Sequence, residues 1–317
     1  MPPLTVLGFG CAALLGRASR RESEIAVKTA LDAGITFFDT ARSYGYGESE
    51  GLLGELFQGE RHRLAICTKF GILPARQNWK SRLIPMARSA VKAFPGLRKA
   101  VQKQASTQFT SGQFSVATLS ASLDTSLRKL RTDYVDILLM HAAPASVLAQ
   151  EDLLEALGRL VESGKVKMAG ISGDLPVISR YFTERPATLT TAQFALNTSV
   201  IGFVKETALN GDLLLVANHP YGGPGGVGAT KAAIEGMGRS EELSKGLREK
   251  LKDGAADPQM LPELLFHMLL DGTGVSAVVP AMMQVRHIQS NVRAVTECRF
   301  SSEELKAMRE VLASAGS

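Results

Sequence analysis

The chain has 317 residues, enough for about two ordinary domains or for one α/β barrel of roughly 250 residues carrying insertions. With 45% hydrophobic and 21% charged residues, its composition excludes collagen-like, disulfide-framework and wholly disordered classes. The three cysteines, Cys11, Cys67 and Cys298, are odd in number and far apart, so neither a disulfide scaffold nor a paired-cysteine metal site is expected, and a reducing, cytoplasmic setting is. The net charge of +5 is local: residues 71–114 hold eight cations and no acidic residue, so the rest is slightly acidic and implies no nucleic-acid partner.

The first apolar run, LTVLGFGCAALLG, has no cation before it and is interrupted by Gly8 and Gly10. It is expected to form a strand rather than a cleaved leader. No later apolar run reaches the roughly 18 residues needed to span a bilayer. Short β-branched or apolar runs at 5–8, 35–38, 64–67, 134–140, 166–170, 188–192, 213–217 and 275–279 predict eight strands. Apolar residues at three- and four-residue steps predict helices over 22–33, 50–57, 116–130, 151–163, 176–182, 204–209, 258–270 and 285–294. Gly34 and Gly164 follow two of these helices, where a left-handed C-terminal cap is needed.

Eight alternating strand–helix units predict a single α/β domain over 1–317, a (β/α)8 TIM barrel, with an open doubly wound sheet as the alternative. The barrel is favoured because Asp39, Lys69, His141, Ser172, Gln193 and Asn218 each follow a different strand. In a barrel these strand ends meet at one rim, where the catalytic groups of this architecture collect. No GxGxxG follows the first strand, so a Rossmann site finds no support. Two intervals, 71–114 and 222–257, are too long for a plain crossover and are expected to be lids or substrate walls on the catalytic rim.

Asp39 and Tyr44 stand in ITFFDTARSYGYGESEGLLG, Lys69 in AICTKF and His141 in DILLMH. Tyr44 lies five residues after the Asp of Asp-Thr-Ala; Gly47-Glu48-Ser49-Glu50 and Leu53-Gly54 come next, then Thr68-Lys69, then His141 after Val-Asp-Ile-Leu-Leu-Met. In these blocks, and in the same order as far as Asn291, the sequence resembles the aldo-keto reductases. The resemblance implies reduction of an aldehyde or ketone, a small-molecule carbonyl substrate, by hydride from a nicotinamide cofactor. Hydride addition builds negative charge on the carbonyl oxygen and needs a proton donor beside it. Tyr44 is the expected donor. A nearby ammonium, Lys69 held by Asp39, favours phenolate and is expected to lower the phenol's pKa. The resemblance gives His141 the role of orienting the carbonyl.

For the cofactor, the resemblance points to NADPH, with NADH as the alternative. Ser172 and Gln193 match the family's nicotinamide-amide contacts, but Gly173 stands where an Asn is usual. Asn218 replaces the aromatic that stacks on the nicotinamide, and Tyr221 is the nearest candidate to take that place. Pro280 and Asn291 keep the spacing to the adenine contact. Ala281, Met282 and Met283 carry no charge, which leaves Arg286 and His287 as partners for the 2'-phosphate, the planar guanidinium being the better one. The family often opens with a hairpin that closes the barrel bottom, so here another segment is expected to cover it.

The basic segment mixes its cations with Trp79 and other apolar residues, and 97–104 could form a short amphipathic helix. The leading expectation is a lid with Trp79 as an apolar wall; an anionic-substrate site and peripheral membrane or nucleic-acid contact are the other readings. Two rivals to the reductase are a nicotinamide-binding sensor or subunit on the same fold, and a Schiff-base lyase using Lys69. The second needs a neutral lysine, which Asp39 disfavours.

Overall fold

In the computed structural model, which describes residues 2–74, 109–207, 212–223 and 225–315, eight strands lie parallel and hydrogen-bonded in chain order. They are β1 (Phe9–Gly10), β2 (Phe37–Asp39), β3 (Ala65–Phe70), β4 (Val135–His141), β5 (Val166–Ser172), β6 (Leu189–Ala195), β7 (Leu214–Asn218) and β8 (Ala277–Val279). The ring is closed from β8 back to the first strand: Leu7 bridges Val278, and the Gly8 and Gly10 amides donate to the carbonyls of Val278 and Pro280 at 2.9 and 3.0 Å. The architecture is therefore the (β/α)8 barrel, its eight-stranded sheet meeting itself between the last strand and the first.

Side chains alternate between two separate apolar clusters, as the period of two of a strand requires. Phe37, Ala65, Cys67, Ile137, Leu139, Val216, Ala277 and Val279 fill the barrel interior, with Leu4, Met168 and Leu214 packed on them. Phe38, Ile66, Leu138, Ala169, Ile171 and Phe194, one residue out of phase, belong to the larger cluster between barrel and helices. Leu4 is the segment that reaches the inner layer at the N-terminal side. Gly8 makes room for Phe37, since a Cβ there would stand 2.6 Å from the ring.

The strands end later than the apolar runs predict. β3 continues through Lys69 to Phe70, β4 through His141, β5 through Ser172 and β7 through Asn218. The inward alternation simply continues onto a polar residue at the rim. β1 lies at Phe9–Gly10 rather than 5–8 because pairing with β2 joins Phe9 to Phe38 and Gly10 to Asp39.

The helices are α1 (Arg20–Asp32), α2 (Ser49–Leu56), α3 (Val116–Leu130), α4 (Glu151–Glu162), α5 (Leu175–Glu184), α6 (Val204–Thr207), α7 (Gly226–Met237), α8 (Lys245–Gly254), α9 (Met260–Leu270), α10 (Val285–Thr296) and α11 (Ser302–Ala315). Ser19 and Glu22 form a capping box on α1, and Ser115 and Asp174 cap α3 and α5. Gly34 and Gly164 are left-handed, as their positions after α1 and α4 demand. Helix α7, rich in glycine, and α11 were not legible as helices. They pack on one another, and α8 packs on α7, so tertiary contact overrides weak propensity. The second insertion is thus largely helical.

Of the basic insertion, Leu73–Pro74 and Phe109–Thr110 form an antiparallel ribbon that packs on the turn Tyr44–Gly47. Trp79, the eight cations and the predicted helix 97–104 lie outside the described residues, as do positions 208–209 of the predicted helix 204–209. Among the described residues no helix is long and apolar enough to cross a membrane.

Helix α2 offers an internal comparison. A Cβ on Gly54 would come within 2.2 Å of the Lys129 carbonyl at the end of α3, whereas Gly51 has nothing within 4 Å. Gly54→Ala should cost about 1–3 kcal/mol of unfolding free energy, and Gly51→Ala should gain about 0.5–1 kcal/mol. Urea denaturation checks both; equal effects would contradict the packing assigned to this helix.

Candidate active site

Asp39, Lys69, His141, Ser172, Gln193 and Asn218 continue the inward column of β2 to β7, so the strand register alone aims them at the upper end of the barrel bore. Tyr44 comes from the loop after β2. That loop is held by buried polar contacts: Arg42 Nη1 on Glu50 Oε2 at 3.0 Å, Thr68 Oγ1 on Glu50 Oε1 at 2.7 Å, and Thr40 Oγ1 with Ser49 Oγ at 3.1 Å. Just beyond Tyr44 the chain turns through Gly45 at φ 59°, where a Cβ would press on the Leu14 carbonyl at 2.8 Å.

At the centre is an ion pair almost without solvent. Lys69 is 1% and Asp39 4% exposed. Lys69 Nζ donates to Asp39 Oδ1 at 2.6 Å, to the Thr40 carbonyl at 3.0 Å and to Tyr44 Oη at 3.5 Å, which uses its three protons. The Tyr44 and His141 rings meet edge-on, with centroids 5.7 Å apart. Gln193, fully buried, donates from Nε2 to Asp39 Oδ1 at 2.9 Å and accepts at Oε1 from Ser172 Oγ at 3.1 Å. Asp39, Tyr44, Lys69, His141, Ser172 and Gln193 therefore form one connected group.

Burial works against the Lys69 charge, but the neighbouring Asp39, Tyr44 and Cys67 outweigh it and hold its pKa well above the ordinary value. Lys69 is thus not the neutral amine that a Schiff-base reaction needs. Burial also pushes the Tyr44 phenol up, and this exceeds the downward pull of Lys69. The net shift is opposite to the one expected from the ammonium alone, and the phenol is protonated at neutral pH. His141 is pushed down to about 3, first by burial and then by the Lys69 charge. It is a neutral imidazole, and its buried Nδ1 has no hydrogen-bond partner among the described residues.

The other predicted residues lie apart from this group. Asn218 Oδ1 is 3.0 Å from His219 Nδ1. Tyr221 Oη donates to Asn291 Oδ1 at 3.3 Å and its ring packs edge-on against Phe266. Arg286 and His287 are exposed on the first turn of α10, Arg286 Nε bonding Gln284 Oε1 at 2.8 Å within its own turn. Asn197, Thr198, Ser199, Tyr221, Gly222 and Thr230 are among the residues lining a cleft of about 210 Å³. At Gly173 a Cβ would stand 3.2 Å from Val177, so the position of the family's Asn is crowded rather than vacant. Cys67, beside Asp39 in the strand register, was missed in the sequence; its signal is that it stands two residues before Lys69, on the same inward face. Among the described residues no group of three His, Cys, Asp or Glu side chains could hold a metal ion.

A (β/α)8 barrel whose rim gathers a connected Lys–Asp–Tyr–His group is the class of structure the fold and site define. The chain matches the aldo/keto reductase family model over residues 6–313 and belongs to that family. It is 26% identical to the probable aldo-keto reductase 1 of Glycine max, over 96% of this chain and 85% of that one. It is 30% identical to a 6-dehydroglucose reductase of Agrobacterium fabrum, over 68% of each. Among solved structures, the holo form of an aldo-keto reductase from Bacillus halodurans matches with a TM-score of 0.69 at 20% identity, over 97% of this chain and 92% of that one. An aldo/keto reductase from Klebsiella pneumoniae in complex with NADP and acetate matches at 0.64 and 20% identity, over 98% and 92%. These structural likenesses are of fold.

The neutral His141 has a consequence for stability. In the unfolded chain it titrates near 6.5 and in the folded protein only at about 3, so between those values unfolding takes up a proton and acidification favours unfolding. His141→Gln removes that uptake. Its unfolding free energy should fall less steeply than the wild type's between about pH 6 and about pH 4; parallel curves from denaturant titrations would show that His141 is not held neutral.

Proposed function

We propose that this protein reduces an aldehyde or ketone to an alcohol with NADPH, Tyr44 being the proton donor. The observation that carries this reading is the single buried ammonium, Lys69, shared between Asp39 and the Tyr44 hydroxyl. Burial keeps the phenol protonated before reaction, and the ammonium places a positive charge where phenolate forms.

The residues fit a dinucleotide laid across the rim. Tyr221 and Gly222 line the cleft together with hydroxyls and an amide of 197–199, and the neighbouring Gly223 has open space where a side chain would stand. Ser172 would hold the amide end, Tyr221 and Asn291 the far end, and Arg286 with His287 the 2'-phosphate. A reduced nicotinamide bound in this way supplies the hydride.

The protein's part is positioning and proton transfer. As charge develops on the carbonyl oxygen, Tyr44 gives it the hydroxyl proton, and Lys69 stabilises the phenolate without leaving Asp39. The neutral imidazole of His141, set edge-on to Tyr44, can donate an N–H to the same oxygen and fix the carbonyl's orientation. The barrel interior below the group is apolar and packed, which excludes water from that side and strengthens these charges.

A cofactor-binding protein with weak turnover is the second reading. It is favoured by Ala281, exposed and uncharged at the start of the phosphate-facing segment, and by Asn218, engaged with His219 instead of presenting a ring. Tyr44→Phe separates the two. The variant should bind NADPH as the wild type does while carbonyl turnover falls by about 10²–10⁴-fold, measured by fluorescence titration and by cofactor oxidation. Undiminished turnover would remove Tyr44 from the proton-donor role.

A further inference from the structure

Gln193 has no solvent exposure, and both ends of its amide are already engaged. In a ring of eight, β6 and β2 stand four strands apart, on opposite walls. Gln193 on β6 reaches across the bore to the same Asp39 oxygen that receives Lys69. Ser172 on β5 fixes the other end by donating to its carbonyl oxygen. Among the described residues Asp39 Oδ1 thus receives a cation and a neutral amide, the Cys67 thiol being a further, weaker donor to the same carboxylate.

We propose that Gln193 is a positioning residue: its N–H holds the Asp39 oxygen against the pull of Lys69 and so fixes how much of the Lys69 charge reaches the Tyr44 hydroxyl. The proposal rests on the reductase reading of the site but concerns a property of the protein alone. Without the amide, Asp39 Oδ1 loses its amide donor and keeps Lys69, and Nζ, already 2.6 Å from the carboxylate and 3.5 Å from the phenol, is drawn further to the carboxylate side. A charge-assisted hydrogen bond is strong enough in a water-poor interior for its loss to be felt one residue away.

Among the described residues the groups that act on Tyr44 are few. Lys69 and Asp39 lie beneath it, Cys67 is on β3, and His141 is on β4. Cys11, from the turn after β1, acts on the Asp39–Lys69 pair as well. Burial pushes both thiols well up and His141 down, so these three stay neutral. Among the described residues Lys69 and Asp39 are the remaining charges around Tyr44, and Gln193 is the amide that donates to their shared oxygen.

The test is a titration of Tyr44 itself by tyrosinate absorbance, each variant being subtracted from the same protein carrying Tyr44→Phe. Gln193→Met keeps the length and apolar bulk of the side chain and removes the donor. Its Tyr44 pKa should rise by about 0.5–1 relative to the wild type. Ser172→Ala, which frees the far end of the amide, should give a smaller rise in the same direction, and it carries the test if Gln193→Met does not fold by circular dichroism. An unchanged Tyr44 titration in a folded variant overturns the proposal. An NADPH dissociation constant that weakens while the titration stays fixed would instead make Gln193 a cofactor contact only. No cofactor or substrate enters the titration, so a wild-type protein that reduced no carbonyl would end the reductase reading without deciding the role of Gln193.

Discussion

The polar group at the rim of this barrel is arranged around one unfavourable act, the burial of the Lys69 ammonium. A lone ammonium in such an interior would lose its proton, and a lone carboxylate would gain one. Placed together, Lys69 and Asp39 keep their charges, and the third ammonium proton is left to point at Tyr44. Such a pair costs desolvation that its mutual attraction only partly repays. Its retention here is better understood through what it does to the neighbouring phenol than through stability. The register makes the pair: Asp39 is bonded beside Cys67, and Lys69 stands one inward step above Cys67.

The architecture was legible because two periodicities are clean. The eight apolar runs and the helical stripes between them predict the barrel, and α3 begins and ends where the spacing places it. What the apolar runs hide is that strands do not stop where hydrophobicity does. Lys69, His141, Ser172 and Asn218 are all strand residues, and their chemistry depends on that, because only a strand residue inherits the inward direction from the one two places before it. Gln193 marks the boundary of such reading. Its place on the rim follows from the sequence, but a contact across the bore to Asp39 depends on barrel closure, which no local pattern carries. The sign of the Tyr44 shift was hidden for the same reason, since the depth of burial that outweighs Lys69 is a tertiary property.

The segments that depart from the usual pattern acquire separate physical explanations. Gly173 is small because Val177 fills the adjacent space. Asn218 pairs with its neighbour His219, which itself has a left-handed backbone at φ 48°. Tyr221, whose hydroxyl is pushed up by burial, joins Asn291 instead of lying free. Tyr221 and Asn291 thus bond to one another, apart from the connected group around Lys69.

The central claim is that the Lys69 charge, buried with Asp39, makes Tyr44 the acid for hydride addition to a carbonyl. It is tested most directly by a single turnover of NADPH carrying deuterium at the transferable C4 position with an aldehyde, comparing wild type with Lys69→Met at matched cofactor occupancy. The account predicts deuterium on the carbinol carbon of the alcohol from the wild type, and a large loss of rate in the variant with cofactor still bound. Equal rates in the two proteins, or an alcohol free of deuterium, would contradict it.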